Sequence, residues 1–158
     1  MCIRDSPSIA LEFHAVMNAV ITSSSIKLNI PIRGATSYGK LSINDNIMVG
    51  PAVDEVASWY EMTEWIGVIQ TPSAMFLTNT SEFIFKKAML TKYPVKTKKI
   101  GIYETYCVNW VRTWNRKKDR NDLIKCFMDM GPITPEIAEK YINTLKFYDQ
   151  MNDELSKE

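Results

Sequence analysis

Between Pro31 and Thr71 the chain reads PIRGATSYGKLSINDNIMVGPAVDEVASWYEMTEWIGVIQT. The pattern is strand, tight turn, strand, a helix opened by Gly50-Pro51, then another strand. Asn44-Asp45-Asn46 separates Leu41-Ser42-Ile43 from Ile47-Met48-Val49. Asn and Asp tolerate the positive φ of a hairpin turn, so this spacing predicts a hairpin. Pro51 suits a first helical position, where its missing N–H costs no intrahelical bond. Val53, Val56, Ala57 and Tyr60 are expected on the inner stripe of that helix. Asp54, Ser58 and Glu61 fall at i, i+4 and i+7 and share its polar face. Ile66 to Gln70 is short and apolar, as a buried strand is. Strands and helices alternating this closely require a layered α+β arrangement.

The flanks extend the same pattern. From Pro7 to about Ser23, Ile9, Phe13, Val16, Met17 and Val20 recur at helical spacing and are expected to face a core. Ser23-Ser24-Ser25 should end this helix. Lys27 to Tyr38 alternates partly through Leu28, Ile30 and Ile32, which predicts an extended segment. Thr71-Pro72-Ser73 opens a short helix, and Ser81 to Leu90 reads as another amphipathic turn or two. Tyr93 to Val111 reads as a second hairpin, turning at Lys96-Thr97-Lys98-Lys99. Asp119 to Met130 is helical. Thr134-Pro135-Glu136 caps a last helix with Ile137, Tyr141, Leu145 and Tyr148 on one side.

Length and composition bound the function. A chain of 158 residues is one domain or most of one. Its net charge of +1 gives no global field toward nucleic acid or an anionic membrane. No apolar run approaches the ~20 residues of a membrane-spanning helix. Three widely spaced cysteines, Cys2, Cys107 and Cys126, suggest neither a disulfide framework nor a zinc site, so a reducing cytoplasm is the expected compartment. Met1-Cys2-Ile3-Arg4-Asp5-Ser6 is the translation of ATGTGTATAAGAGACAG plus one base. That resembles a transposase-end adapter oligonucleotide. Residues 1–6 are therefore expected to be an adapter artefact, with the natural chain continuing upstream.

Several motifs carry possible chemistry. Gly34-Ala-Thr-Ser-Tyr-Gly39-Lys40 nearly spells a phosphate loop. Leu41 replaces the hydroxyl residue that would hold a metal, and a hairpin follows where a helix is required. His14, the only histidine, has no Cys or Asp beside it and reads as a partly exposed helix residue. Arg112 to Arg120 is basic with Trp110 and Trp114 interleaved, which could stack bases, but the near-zero net charge favours a solvated loop and no nucleic acid. Lys96 to Lys99 could bind an anion or keep a hairpin tip soluble. Asp54 and Glu61 could in principle share a metal.

Three elements in order resemble the second half of a class III nucleotide cyclase catalytic domain. Arg33-Gly34-Ala35-Thr36-Ser37-Tyr38-Gly39 is similar to the family's R-G-G-x-x-x-G. Gly50-Pro51-Ala52-Val53-Asp54 is similar to its G-x-A-V-N helix opening. Tyr93-Pro94-Val95-Lys96 and the strand from Tyr103 to Trp110 are similar to its V-K-G hairpin. The resemblance covers about Pro7 to Trp110. It divides the chain into a cyclase-like portion at 7–112 and a helical extension at 113–158.

The resemblance implies a ferredoxin-like domain lacking its first strands, working as a head-to-tail homodimer. It implies cyclisation of a nucleoside triphosphate with release of pyrophosphate, assisted by Mg²⁺ or Mn²⁺. Lys96 matches the lysine that holds terminal phosphates. Asp54 stands at the family's ribose-orienting Asn, and Ser58 at its transition-state Arg. A carboxylate cannot donate to a ribose oxygen as an amide does, and a lost arginine costs orders of magnitude in rate. The metal aspartates would lie ahead of Pro7. The expected function is thus a fragment of a divergent cyclase, inactive alone. The alternatives are a non-catalytic cyclase-like regulatory or dimerisation module and an unrelated α+β domain.

Overall fold

The structure is a computed structural model and describes residues 7–80, 89–114 and 119–157. Residues 1–6, expected to be adapter-derived, lie outside the described residues. So do 81–88, which carry most of the expected turns from Ser81, and 115–118 within the basic run.

Helix α1 spans Pro7–Lys27 and leads to strand β1, Arg33–Thr36. A ribbon of β2 (Ser42–Asn44) and β3 (Ile47–Val49) follows, then α2 (Pro51–Trp59) and β4 (Gly67–Gln70). Helix α3 (Pro72–Thr80) precedes the hairpin of β5 (Leu90–Thr97) and β6 (Gly101–Val108). A 3₁₀ turn at Trp110–Thr113, α4 (Arg120–Asp129) and α5 (Pro135–Leu155) complete the described chain. The main sheet has the order β1-β4-β6-β5. β1 and β4 run parallel with Arg33 opposite Gly67, and β4–β6 and β6–β5 are antiparallel. This is a mixed α+β fold with a mixed sheet.

Local chemistry explains the elements the sequence announces. Asp45 adopts φ 52° in the ribbon turn, the conformation its side chain tolerates. Gly50 caps α2 and Pro51 occupies its first turn. Asp119 accepts from Asn121 N and Asp122 N, while the Asp122 side chain returns to Asp119 N, a reciprocal cap on α4.

Two expectations are corrected at α1. The serine run does not stop the helix. Ser23 and Ser25 donate their hydroxyls to the carbonyls of Val20 and Thr22, which satisfies them inside the helix. The stop comes at Asn29, at φ 60°, where Ile30 N donates to Ser25 O in the manner of a Schellman motif. Leu28 and Ile30 are therefore exposed in a turn and loop, not alternating in a strand. The buried face is also a different one. Phe13 is 66% exposed, and Met17 and Val20 are exposed as well, while Leu11, Ala15, Ala19 and Ile26 enter the core. The small residues let the helix lie close to the 3₁₀ turn, where Thr113 Oγ1 is 2.9 Å from both Ala19 O and Ser23 Oγ.

The core is one cluster built on Trp65, Ile69, Val95, Trp110, Phe147 and Met151. Phe147 of α5 meets Trp65 edge-on at 4.7 Å and Tyr93 at 4.9 Å, and Trp65 stacks on Tyr93. Tyr141 and Leu145 pack against this cluster and Tyr148 joins it, as their spacing requires. Burial pushes the Cys107 thiol well above its ordinary value, so it is an inert core side chain.

Candidate functional site

β1 ends the sheet, and among the described strands none pairs with its outer edge. Beside it opens a cleft of about 500 Å³ between Leu11 and His14 of α1, Thr36 of β1, Met48 of the ribbon, and Val53 and Val56 of α2. The segment after β1 holds these walls together. Ser37 Oγ donates to Ala52 O at 2.6 Å, and a Cβ on Gly39 would stand 3.4 Å from the Ala52 Cβ. Ala52, not Ala57 or Tyr60, is thus the fully buried residue of α2, and those two expected stripe residues are exposed.

His14 lines this cleft, with Nδ1 3.2 Å from Thr36 Oγ1 and 3.0 Å from Asn18 Nδ2. Its packing against the walls lowers the imidazole pKa below its ordinary value of 6.5. The unfolded chain therefore binds the proton more readily than the folded one. Stability tied to His14 is complete above about pH 6.5 and falls as pH drops toward the lower folded value. Replacing His14→Gln is expected to flatten the slope of unfolding free energy against pH in that window, as urea titrations across it would show. An unchanged slope would assign it to other groups.

Asp54 and Ser58 lie exposed on α2. Ser58 Oγ donates to the Asp54 carbonyl at 2.8 Å, so its hydroxyl is engaged within the helix. Glu61 does not continue their stripe. The helix ends at Trp59, and Glu61 Oε1 instead accepts from Tyr60 OH at 2.8 Å. The neighbouring Glu55 does the structural work here. Its carboxylate accepts from Ser73 N at 3.2 Å and Ser73 Oγ at 2.5 Å, tying α2 to the first turn of α3. An anion at a helix N-terminus is favourably placed against the helix dipole.

Lys96 lies on β5, at the opposite edge of the sheet from β1. Three strand spacings separate the two edges, about 14 Å. Its ammonium pairs with Glu139 of α5, and that hydrogen bond raises the lysine pKa. Both side chains are largely exposed, so the pair adds little stability. No described hydrogen bond or ion pair joins Lys96 to Asp54 or Ser58.

None of the family models, curated proteins or solved structures compared with this chain matches it. The site must therefore be read from its own geometry. Among the described residues, no three His, Cys, Asp or Glu side chains gather closely enough to hold a metal ion. The residues described here do not fit a Mg²⁺ or Mn²⁺ site, and no step through a metal follows from them. Among the described helices, none is long and apolar enough to cross a membrane.

Where the basic run is described it is not the expected solvated loop: it begins in the 3₁₀ turn at Trp110–Thr113, and Trp110 and Trp114 are buried and pack edge to face at 6.0 Å, so neither indole offers a platform for a base. The His14–Thr36 and Glu55–Ser73 pairs were not foreseen. Each joins residues with no common motif, and only the Thr71-Pro72-Ser73 helix opening signalled that an acidic partner would be useful there.

Proposed function

We propose that the chain is part of a divergent class III nucleotide cyclase domain, acting on a nucleoside triphosphate only when completed by segments outside it. The observation that carries this reading is the outer edge of β1, unpaired among the described strands, beside an apolar cleft. The resemblance assigns the metal-holding aspartates to strands ahead of Pro7, and an open edge beside a neutral cleft suits such strands. The order strand, ribbon, helix, strand, hairpin also supports the reading. On this reading the fold is a ferredoxin-like cyclase type missing its first strands, and residues 113–158 are an added helical layer.

The residues present do not perform the chemistry unaided. Lys96 reaches terminal phosphates only when Glu139 releases it. Asp54 places negative charge where the family uses a neutral amide, and Ser58 supplies no positive charge to a developing oxyanion. Homodimerisation would cover the apolar ribbon, where Ile43, Ile47, Met48 and Val49 are 56–64% exposed. Those substitutions and that surface favour the second reading, a non-catalytic cyclase-like module that pairs.

The test is incubation of this chain, and of a longer parent protein carrying the upstream aspartates, with each nucleoside triphosphate and Mn²⁺. The expected result is no cyclic nucleotide from the chain, and cyclic product with pyrophosphate from the parent. A parent that yields no cyclic product from any of the four overturns the enzyme reading in favour of the module.

A further inference from the structure

Helix α1 is apolar on two opposite faces. Its 21 residues carry one acid, Glu12, and one base, Lys27, toward opposite ends. Leu11, Ala15, Ala19, Thr22 and Ile26 are buried on the side that meets β4, β6 and the 3₁₀ turn. Turned away from them, Ala10, Phe13, Met17, Val20 and Ser24 are all exposed. Their alternating spacing of 3 and 4 residues is the a/d repeat of a helix-pairing seam. Ile21 flanks the seam, and Phe13, Met17, Val20 and Ile21 are 43–66% exposed. A surface helix ordinarily gives the face opposite its core stripe to charged and polar residues, whereas a helix apolar all round is covered on both sides.

The seam is complementary to itself in one orientation. Two copies run antiparallel about a two-fold axis, with Met17 of each beside Val20 of the other, set Phe13 against Ser24 and Ala10 against Lys27. Large side chains then meet small ones, as knobs meet holes. The Glu12 end of each helix lies beside the Lys27 end of the other, and the two helix dipoles oppose. A parallel pair would set Phe13 on Phe13 and Glu12 on Glu12. With Leu28, also exposed at the helix end, the apolar groups offer on the order of 500 Å² per copy, at ~150–250 Å² for a whole aromatic side chain and somewhat less for an aliphatic one. A standard stable interface takes ~800 Å² from each partner, so the area suits a reversible dimer and not an obligate one. Strands added at the edge of β1 would extend the sheet in its own plane. They would leave this face, on the far side of α1 from the sheet, uncovered.

We propose that α1 pairs antiparallel with α1 of a second copy of this chain through Phe13, Met17 and Val20. The contact is separate from the β2–β3 ribbon, and it stands whether or not the cyclase reading does.

The experiment is sedimentation equilibrium of the full chain over a range of concentrations, where a monomer–dimer equilibrium is expected. A charge placed in the seam meets an apolar partner, so Met17→Glu and Val20→Lys should each weaken the dimer at least about tenfold. Mixing the two variants should restore a heterodimer, because only the antiparallel register puts the two new charges side by side. Both positions are exposed in the monomer, and a wild-type circular dichroism spectrum would certify that the variants fold. Ile47→Glu, which would remove a ribbon contact, should leave this equilibrium in place. A chain that stays monomeric overturns the proposal and leaves the seam to a segment of a longer parent. An association lost in Ile47→Glu but kept in Met17→Glu also overturns it, as does a mixture of the two seam variants that stays monomeric.

Discussion

Gly50→Ala is expected to lower the unfolding free energy by about 3 kcal/mol, close to the upper end for a residue forced into a glycine-only conformation. Gly50 has φ 139° and ψ 168° at the cap of α2. A Cβ there would stand 2.7 Å from Lys40 O and 3.0 Å from the Leu41 Cα, and both are backbone atoms that cannot swing aside. Two costs therefore add: the backbone conformation itself, and the displacement of the segment that closes the cleft. Gly101 provides the comparison. It also has positive φ, at 76°, but nothing lies within 4 Å of its would-be Cβ. Gly101→Ala should cost only about 1–2 kcal/mol, the left-handed penalty alone. Urea unfolding of the two variants separates the terms. Equal losses would show that the contact with Lys40 relaxes freely.

Phe147→Ala is expected to cost about 3–5 kcal/mol, the range for deleting a buried aromatic ring. The side chain is fully buried and joins Trp65, Tyr93 and Trp110 across the interface between α5 and the sheet. Domains of this size hold only about 5–15 kcal/mol in total, so the variant should be marginal at ordinary temperature. Ile142→Ala, on the same helix but 52% exposed, should stay within about 0.5 kcal/mol of wild type. If Phe147→Ala unfolds with a loss near 1 kcal/mol, α5 is not an integral wall of the core.

The parts of this fold legible from sequence are those set by local backbone chemistry. Asn44-Asp45-Asn46, Gly50-Pro51 and Thr134-Pro135 each act within a few residues, and the hairpin and both helices stand where these signals put them. The buried face of α1 was not legible for a physical reason. Helical periodicity reveals that stripes exist, but which stripe is buried depends on what the helix meets. Here the 3₁₀ turn at Trp110–Thr113 approaches so closely that Ala15 and Ala19 fit and Phe13 does not. The Asn29 stop was equally hidden, because Asn is only an occasional substitute for Gly in a left-handed cap.

The site was less legible than the fold. The cyclase resemblance picked out Asp54, Ser58 and Lys96, and the helix did place the first two one turn apart. It could not reveal that Ser58 is engaged with its own helix, or that Lys96 meets Glu139, 43 residues away. The cleft at β1 is a product of tertiary packing, and no single segment of the sequence carries it.

On the proposed reading, strands ahead of Pro7 complete the outer edge of β1. Amide hydrogen exchange at Arg33–Thr36 tests this most directly, because it depends on strand pairing and not on whether a catalytic centre has been rebuilt. In this chain the outward-facing amides of β1 should exchange quickly while those at the β5–β6 interface are protected. In the longer parent protein the same β1 amides should become protected, with the hairpin unchanged. Equal, rapid exchange of the β1 amides in both proteins would contradict the account.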